Sequence, residues 1–470
     1  MKSALIALLL ATLAPFSSAK PKHFVFFLAD DLGWTDLGCF GSNFYETPNL
    51  DRLAATGMKF TNAYAACPVC SPTRASILTG LYPQRVGVTD FIGAAQPDRW
   101  KRKTKMLPAP YTPQLDHKWD TLPEVLKRVG YTTFFAGKWH LGKEKFWPEH
   151  QGFDVNIGGI DRGGPYGGKK YFSPYGNPRL KDGPDGEHLP DRLASEACAF
   201  LEKNKDGKSL TYLSFYSVHT PLISREDLKK KYQAKKAKRG LEPKWGKEGG
   251  RKVRLVQEHA VYAGMVEAMD LAVGKVLDKL DALGIADQTA VFFTSDNGGL
   301  STSEGHPTSN LPLRGGKGWM YEGGIREPTI VRVPGVTKPG SVSNGVITSP
   351  DYWPTIASLA EIPRFANSGD GRSFVPLLRG QDVNRGPIFW HYPHYGNQGG
   401  APSGAVRDGD WKLIEWYEDG RLELFNLKGD VGEKTDLAAT NPDKVGELKA
   451  KLVAWRKSVR AKMPTMKAQR

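Results

Sequence analysis

Several short apolar runs mark the N-terminal two thirds of the chain, and each ends in polar side chains. Residues 22–29 form one such run, and Asp30 and Asp31 follow it directly. An apolar run without polar alternation predicts a strand that is buried on both faces of a parallel or mixed sheet. Three further runs of this kind cover residues 131–136, 210–218 and 289–294.

Helical periodicity separates these strands. Apolar spacing, capping residues and glycine stops predict the main helices, at residues 47–57, 121–129, 189–201, 258–283 and 351–359. Strands that alternate with helices predict an α/β fold in which the carboxyl edge of the sheet binds the ligand.

Residues 158–185 are rich in Gly and Pro and predict a loop.

The pattern changes in the last quarter of the chain, where short strands are separated by turns. These strands, at 387–391, 404–407, 411–417 and 422–426, predict a small antiparallel sheet, and residues 445–459 predict a closing helix. We place the boundary near 362–385, with a catalytic domain at 20–375 and a C-terminal subdomain at 376–470.

The N-terminus has the features of a secretory signal. Lys2 precedes an apolar run at residues 4–16, and small residues follow up to Ala19. The run is shorter than the roughly 20 residues that span a bilayer, and no later segment is long and apolar enough. We expect residues 1–19 to be removed and the mature chain to be periplasmic or extracellular, without a membrane span.

Charge and composition narrow the class of partner. The formal charge is +15, or +14 without Lys2, and 40% hydrophobic residues support a substantial core. Excess positive charge on an exported protein favours anionic partners. Much of this charge lies at 229–239 and 244–254, which we interpret as a solvated helical surface.

Four cysteines are too few for a disulfide scaffold in a chain of 470 residues. Cys67 and Cys70 have the spacing of a redox motif, so thiol–disulfide exchange is one reading of this pair. Cys70 also stands at a predicted helix start, with Pro72 in the first turn and Arg74 one turn further on. A guanidinium and the positive end of a helix dipole suit chemistry on an anion, although a buried or disulfide-bonded cysteine is equally consistent with this segment.

The strand ends supply the remaining candidate groups. Asp30 and Asp31 repel each other unless a cation lies between them, and hard cations take oxygen ligands. The other strand-end groups are Lys138 and His140, His219, and Asp296 with Asn297, and Lys317 lies in a glycine-rich loop. Four strand ends of this kind indicate one assembled site.

These residues resemble the type I formylglycine-dependent sulfatases of the alkaline phosphatase superfamily, in particular bacterial enzymes that act on polysaccharides. The resemblance covers nearly the whole mature chain and makes the redox reading of Cys67 and Cys70 the weaker one. It rests on Cys70-x-Pro72-x-Arg74 with Thr79-Gly80, on 29–33 (Ala-Asp-Asp-Leu-Gly), 137–142 (Gly-Lys-Trp-His-Leu-Gly), 219–221 (His-Thr-Pro), 294–298 (Thr-Ser-Asp-Asn-Gly) and 313–318 (Leu-Arg-Gly-Gly-Lys-Gly).

The resemblance implies a large mixed β-sheet flanked by helices, with a smaller C-terminal antiparallel subdomain. It also implies that a separate maturation enzyme oxidises Cys70 to formylglycine during export. One Ca²⁺ would then be bound by the residue-70 oxygen and by four side chains, Asp30, Asp31, Asp296 and Asn297.

The remaining roles are also implied by the resemblance. Arg74 would hold the formylglycine, Lys138 and Lys317 would bind sulfate oxygens, and His140 and His219 would be the acid–base pair. The hydrated aldehyde would attack sulfur, and deprotonation of its second hydroxyl would eject sulfate. Thr73 stands where serine is commoner in the family.

We expect a sulfated glycan as substrate, with galactose- or N-acetylgalactosamine-type sugars as the best guess, and no nucleic-acid partner. The aromatic segment 391–397 is either a sugar-binding element or a packed turn. The candidates for substrate contact are His306, Arg314, His391 and His394. A phosphoester or phosphonate hydrolase of the same superfamily and a non-catalytic polyanion-binding protein are the alternative functions.

Overall fold

A computed structural model describes residues 20–362 and 369–467. The signal-peptide prediction at residues 1–19 lies outside the described residues, as does part of the predicted boundary at 362–385. None of the helices in the described ranges is long and apolar enough to cross a membrane.

Sixteen strands are present in the described part of the chain. In chain order they are β1 (His23–Ala29), β2 (Met58–Tyr64), β3 (Met106–Leu107), β4 (Thr132–Gly137), β5 (Val155–Ile157), β6 (Ser209–Ser214), β7 (Trp245–Glu248), β8 (Arg251–Arg254), β9 (Thr289–Ser295), β10 (Thr329–Arg332), β11 (Ser341–Thr348), β12 (Ile388–Tyr392), β13 (Ser403–Asp408), β14 (Trp411–Trp416), β15 (Leu422–Asn426) and β16 (Thr465–Met466).

Eleven α-helices accompany them in the same ranges. They are α1 (Pro48–Thr56), α2 (Cys70–Thr79), α3 (Pro83–Val86), α4 (Leu122–Lys127), α5 (Leu189–Lys203), α6 (Glu226–Lys238), α7 (Ala260–Ala282), α8 (Glu322–Ile325), α9 (Tyr352–Leu359), α10 (Val375–Leu378) and α11 (Pro442–Ser458).

A mixed eight-stranded sheet with the order β11-β2-β10-β9-β1-β6-β4-β5 organises the molecule. Strands β9, β1, β6, β4 and β5 run parallel, whereas β10 is antiparallel to both of its neighbours. The α/β fold with a large mixed sheet is thereby confirmed.

The central strand shows why apolar runs form this sheet. Every residue of β1 is buried, and successive side chains enter opposite layers. Val25 and Phe27 join a core that includes residues of α1, α5 and α7. Phe24 and Phe26 join a second core that includes residues of α2, α4 and α9. Helices on both faces therefore require a strand that is apolar throughout.

The parallel register brings four strand ends to one edge. Ala29 at the end of β1 pairs with Ser295 of β9, and Leu28 pairs with Ser214 of β6. Gly137 at the end of β4 pairs with the same Ser214. The polar residues that follow these strands are consequently neighbours, as their positions in the sequence predicted.

A second, antiparallel sheet has the order β12-β13-β14-β15. One face packs on the C-terminal helix α11, with Leu413 against the same core as Leu452. The other face contributes Trp390 to a core that includes Tyr64 and Trp319. The prediction of a small antiparallel sheet with a packing helix is confirmed.

The interpretation of the basic segments as a solvated helical surface is half wrong. Residues 229–239 largely lie in α6, but residues 244–254 form the hairpin β7–β8. Gly249 and Gly250 form its turn with φ of 52° and 81°, a pair of left-handed positions that favours a two-residue hairpin over a helix.

Candidate active site

Helix α2 places Cys70 at the carboxyl edge of the central sheet. Val69 before it is extended, Pro72 occupies the first turn, and Gly80 with φ of 70° ends the helix. All ten residues of α2 are buried. The predicted helix start at Cys70 is confirmed, and Cys70 is an unpaired thiol.

His140 faces Cys70. Its Nδ1 lies 3.4 Å from Cys70 Sγ, and its Nε2 lies 2.7 Å from the carbonyl oxygen of Ile92. Because only a protonated Nε2 can donate to that carbonyl, Nδ1 is the free nitrogen that faces residue 70. Burial, assisted by the charge of Lys138, lowers the pKa of His140 to about 3 and keeps the ring neutral.

Each of the two adjacent carboxylates has its own buried lysine. Lys138 Nζ lies 2.6 Å from Asp30 Oδ2, and Lys317 Nζ lies 2.7 Å from Asp31 Oδ1. Burial alone would raise the pKa of Asp31, but Lys317 and His219 hold it well below its usual range. Asp31 and His140 both have positive φ, 62° and 57°, a conformation found at constrained functional positions.

Arg74 connects two of the strand ends. Its Nε donates to Asp296 Oδ2 at 2.7 Å, and its Nη1 donates to the Lys138 carbonyl at 2.7 Å and to Ser214 Oγ at 2.6 Å. Burial alone would lower the pKa of Arg74, but Asp296 and Asp30 raise it, so the guanidinium stays charged. Arg74 therefore fixes the strand ends beneath Cys70.

The acidic residues have the features of a cation site. Asp30 Oδ1 and Asn297 Oδ1 are buried and have no hydrogen-bond partner among the described residues. Burial and repulsion from Asp296 raise the pKa of Asp30 well above its usual range. Single ligand atoms of Asp30, Asp31 and His219 lie within 4.8 Å of one another. This group can hold a metal ion, and its oxygen atoms suit a hard cation.

His219 lies beside the same carboxylates. Its Nε2 is 3.7 Å from Asp31 Oδ2, and its Nδ1 is 2.7 Å from the carbonyl oxygen of Thr220. Burial and the charge of Lys317 lower the pKa of His219 well below its usual value.

A pocket of about 310 Å³ opens above these groups. Cys70, His140, His219 and Lys317 line its wall, whereas Lys138 and Arg74 do not line it and are buried in pairs with Asp30 and Asp296. The glycine-rich loop that follows β5 closes one side, where a Cβ on Gly163 would lie 2.7 Å from the His140 ring. The remaining lining residues are Val69, Phe91, Ile92, Tyr166, Thr220, Glu304, Asn397 and Gln398.

The four residues that the sequence suggested for substrate contact do not line this pocket. His391 is buried against Tyr417 and Lys462, and His394 is buried against Thr89. The guanidinium of Arg314 binds Glu248, and the ring of His306 packs on Trp245. Of the aromatic segment 391–397, Asn397 lines the pocket, whereas His391 and His394 are buried in the protein interior and do not line it.

The pocket wall also contains residues that the sequence did not single out. Glu304, Gln398, Tyr166 and Phe91 come from four irregular segments far apart in the chain. Two sequence signals lie near them, because the Gly- and Pro-rich segment 158–185 contains Tyr166 and the aromatic segment 391–397 ends one residue before Gln398.

Known proteins resemble this chain in sequence. The sulfatase family model matches residues 22–362, and the model of the N-sulphoglucosamine sulphohydrolase C-terminal region matches residues 316–460. A sulfatase of Formosa agariphila is 33% identical, over 96% of this chain and 92% of the relative. The N-acetylgalactosamine-6-sulfatase of Mus musculus is 34% identical, over 89% of this chain and 75% of the relative.

A solved structure shares the fold as well. Ps i-CgsB in complex with k-i-k-neocarrahexaose has a TM-score of 0.76 and 27% identity, and the match covers 93% of this chain and 92% of that chain. With the family model matching more than half of the sequence, the chain belongs to the sulfatase family and is a sulfuric ester hydrolase.

Proposed function

We propose that the protein is an exported, formylglycine-dependent sulfatase that releases sulfate from a sulfated carbohydrate. The observation that supports this most strongly is the position of Cys70, whose sulfur lies 3.4 Å from a neutral histidine in a pocket with buried cations. A maturation enzyme would convert Cys70 into formylglycine, whose hydrated form supplies a hydroxyl nucleophile with a second hydroxyl beside it.

Asp30, Asp31, Asp296 and Asn297 would hold one Ca²⁺. The fit rests on the unpartnered oxygens of Asp30 and Asn297 and on the repulsion between Asp30 and Asp296. When bound, the cation neutralises negative charge and polarises oxygen ligands. Lys138 and Lys317 already hold Asp30 and Asp31 in place, so the carboxylates do not depend on the ion for their orientation.

His140 is assigned the role of base. Its free Nδ1 faces residue 70, and its Nε2 is anchored to the Ile92 carbonyl, so the ring can accept a proton without turning. His219 is assigned protonation of the leaving oxygen. A bound sulfate ester brings negative charge into the pocket, which raises the pKa of His219 towards the protonated form.

The cations bind and orient the sulfate group. Lys317 lines the pocket and is placed to contact sulfate oxygens, while Lys138 and Arg74, buried beside Asp30 and Asp296, add positive potential. Fixed charges in a buried site stabilise the negative charge that builds up on these oxygens in the transition state.

The proposed substrate is a galactose- or N-acetylgalactosamine-type sugar sulfate. A pocket of about 310 Å³ fits a small number of sugar rings, and the net charge of +15 attracts sulfated polymers. The names of the relatives described above support the same class. Residues 1–19 would direct export, and residues 20–375 and 376–470 would form the catalytic domain and the C-terminal subdomain.

The test uses protein co-expressed with a formylglycine-generating enzyme. Sulfate release is measured from 4-nitrophenyl sulfate and from a panel of galactose and N-acetylgalactosamine sulfates, with 4-nitrophenyl phosphate and a phosphonate monoester in parallel. We expect sulfate release that is lost in Cys70→Ala. Faster turnover of the phosphorus esters would instead favour a phosphoester or phosphonate hydrolase, and binding without any turnover would favour a polyanion-binding protein.

A further inference from the structure

Among the described residues that line the pocket, Glu304 is the one carboxylate and Lys317 is the one lysine or arginine. Glu304 is half-buried and lines the same pocket as Lys317. Its φ of 50° and the φ of 91° at Gly305 turn the loop at this point. No step of the proposed reaction uses Glu304, and an anion here works against the binding of a sulfate group in general.

Glu304 is held in place by a buried glutamine. Gln398 Nε2 donates to Glu304 Oε1 at 2.6 Å, and Gln398 is only 5% exposed. The backbone of Gln398 is fixed in turn, because its carbonyl accepts from Thr302 Oγ1 and Trp319 Nε1, each at 3.0 Å. The pair is therefore part of a rigid wall and not a mobile surface side chain.

Glu304 still has unused hydrogen-bonding capacity. Gln398 Nε2 binds its Oε1, whereas no described residue donates to its Oε2. Gln398 Oε1 is buried beside Gly318 and Gly396, so the glutamine positions Glu304 and is not itself an acceptor for a ligand. An ionised carboxylate only accepts hydrogen bonds, so Glu304 calls for a ligand that donates. A sugar hydroxyl or an acetamido N–H donates, whereas a second sulfate or a uronate carboxylate does not.

We propose that Glu304, positioned by Gln398, determines substrate specificity by accepting a hydrogen bond from the sugar that carries the ester and by excluding sugars with a second anionic group beside it. This inference rests on the proposed function and narrows its substrate class to monosulfated sugars with free hydroxyl or amide donors. Phe91 and Tyr166, which also line the pocket, supply apolar surface for the sugar ring.

The first test needs only the wild-type enzyme after co-expression with a formylglycine-generating enzyme. Sulfate release is compared among the 4-sulfate, the 6-sulfate and the 4,6-disulfate of N-acetylgalactosamine. We expect the better monosulfate to exceed the disulfate by about tenfold or more in kcat/KM, because like charges at short range in a partly buried site repel strongly.

The second test removes the negative charge of Glu304. Glu304→Gln keeps the shape of the side chain, and we expect the kcat/KM ratio of disulfate to monosulfate to rise about tenfold, chiefly through KM. The control is Glu242, which is exposed and does not line the pocket. Glu242→Gln also removes one negative charge, and we expect it to leave the ratio of disulfate to monosulfate unchanged.

The outcomes separate the two proposals. If neither the sugars nor 4-nitrophenyl sulfate release sulfate, the proposed function fails and this inference fails with it. If sulfate is released but the wild type does not discriminate against the disulfate, or Glu304→Gln leaves the ratio unchanged, only the specificity role of Glu304 is overturned.

Discussion

At the scale of single residues, the tautomer of His140 decides what the ring can do. The Ile92 carbonyl at 2.7 Å occupies the protonated nitrogen, which leaves Nδ1 free towards residue 70. Burial keeps this nitrogen unprotonated at neutral pH, since the pKa of His140 is lowered to about 3. The proposed base is thus free of its proton before the reaction begins, and the negative charge of a bound sulfate ester would raise the pKa of His140 towards the operating pH, where a base is most effective.

His140→Gln tests this role directly. The amide can still donate to the Ile92 carbonyl but cannot take up a proton, so we expect sulfate release to slow by about 100-fold to 10,000-fold with little change in thermal stability. His117→Gln, at an exposed histidine outside the pocket, serves as the control. Rates for His140→Gln within about twofold of the wild type would remove His140 from the mechanism.

The three aspartates of the site are the second residue-scale feature. Burial and repulsion from Asp296 both raise the pKa of Asp30. These charged side chains therefore destabilise the folded protein when no cation is bound between them. A bound ion stabilises only the folded state.

Calcium should therefore raise the melting temperature of protein treated first with a chelator. At calcium about a hundredfold above its Kd the gain is on the order of 2–3 kcal/mol, and it shrinks in Asp296→Asn. Asp206→Asn, at an exposed aspartate, keeps the full gain. An equal calcium response in Asp296→Asn and the wild type would argue against the assigned ligands.

The positions of the residues that follow apolar strands could be predicted from the sequence, because the parallel register brings the ends of these strands together. Asp30, Lys138 and Asp296 each follow a strand directly and meet at one edge, as expected. His219 lies five residues beyond the end of β6, because that strand stops at Ser214 and not at residue 218 as predicted. The wall residue Glu304 was not predictable, because it sits on an irregular loop whose path depends on packing around Trp319 and Gln398.

At the scale of elements, continuous apolar runs predicted strands well and mixed sequences did not. Strands β1, β4, β6 and β9 are covered by helices on both faces, which explains their composition. Strand β2 (Met-Lys-Phe-Thr-Asn-Ala-Tyr) and the edge strand β11 contain polar and partly exposed positions, so no apolar run marks them. Strand β2 pairs with β10 on one side and with β11 on the other, and both pairings come from tertiary context.

The hairpin β7–β8 offers an element-scale prediction. Gly249 and Gly250 both have positive φ, but a Cβ at position 249 would lie 2.5 Å from the Trp319 ring, whereas position 250 is open. We expect Gly250→Ala to cost about 1–2 kcal/mol in the free energy of unfolding, from the left-handed backbone alone. Gly249→Ala costs more, because the indole must also move.

Urea denaturation of both variants measures this difference. Trp319 also supports the Gln398 carbonyl, so Gly249→Ala should weaken binding of the sugar substrate while Gly250→Ala does not. Equal losses of stability in the two variants would show that the hairpin tip does not pack on Trp319 in solution.

At the scale of the whole molecule, one buried lysine joins the two sheets. Lys412 on β14 of the C-terminal sheet lies 2.9 Å from Glu322 on α8 and 2.8 Å from Glu433, and all three side chains are fully buried. Burial alone would raise the pKa of Glu322, but Lys412 and Arg326 lower it to about 2, so this carboxylate stays charged. The C-terminal sheet is thus attached to the sheet that carries the site by charge as well as by apolar packing.

Lys412→Met removes the cation that pairs with Glu433 and leaves Glu322 with Arg326. The expected loss is about 3–5 kcal/mol in the free energy of unfolding, as for other broken buried ion pairs. Lys451→Met, which removes a surface lysine paired with Asp408 and Glu447, costs about 0–1 kcal/mol. Similar losses for the two variants, measured by urea denaturation, would contradict a structural role for the Lys412 cluster.

The central claim is that the working residue at position 70 is an aldehyde made from cysteine. The most direct test is mass analysis of the peptide that contains residue 70, isolated from the same preparation whose sulfate release is measured. We predict that the peptide carries the mass of formylglycine in place of cysteine, and that activity across preparations rises in proportion to the converted fraction. A fully active preparation in which residue 70 is still a thiol would contradict the account.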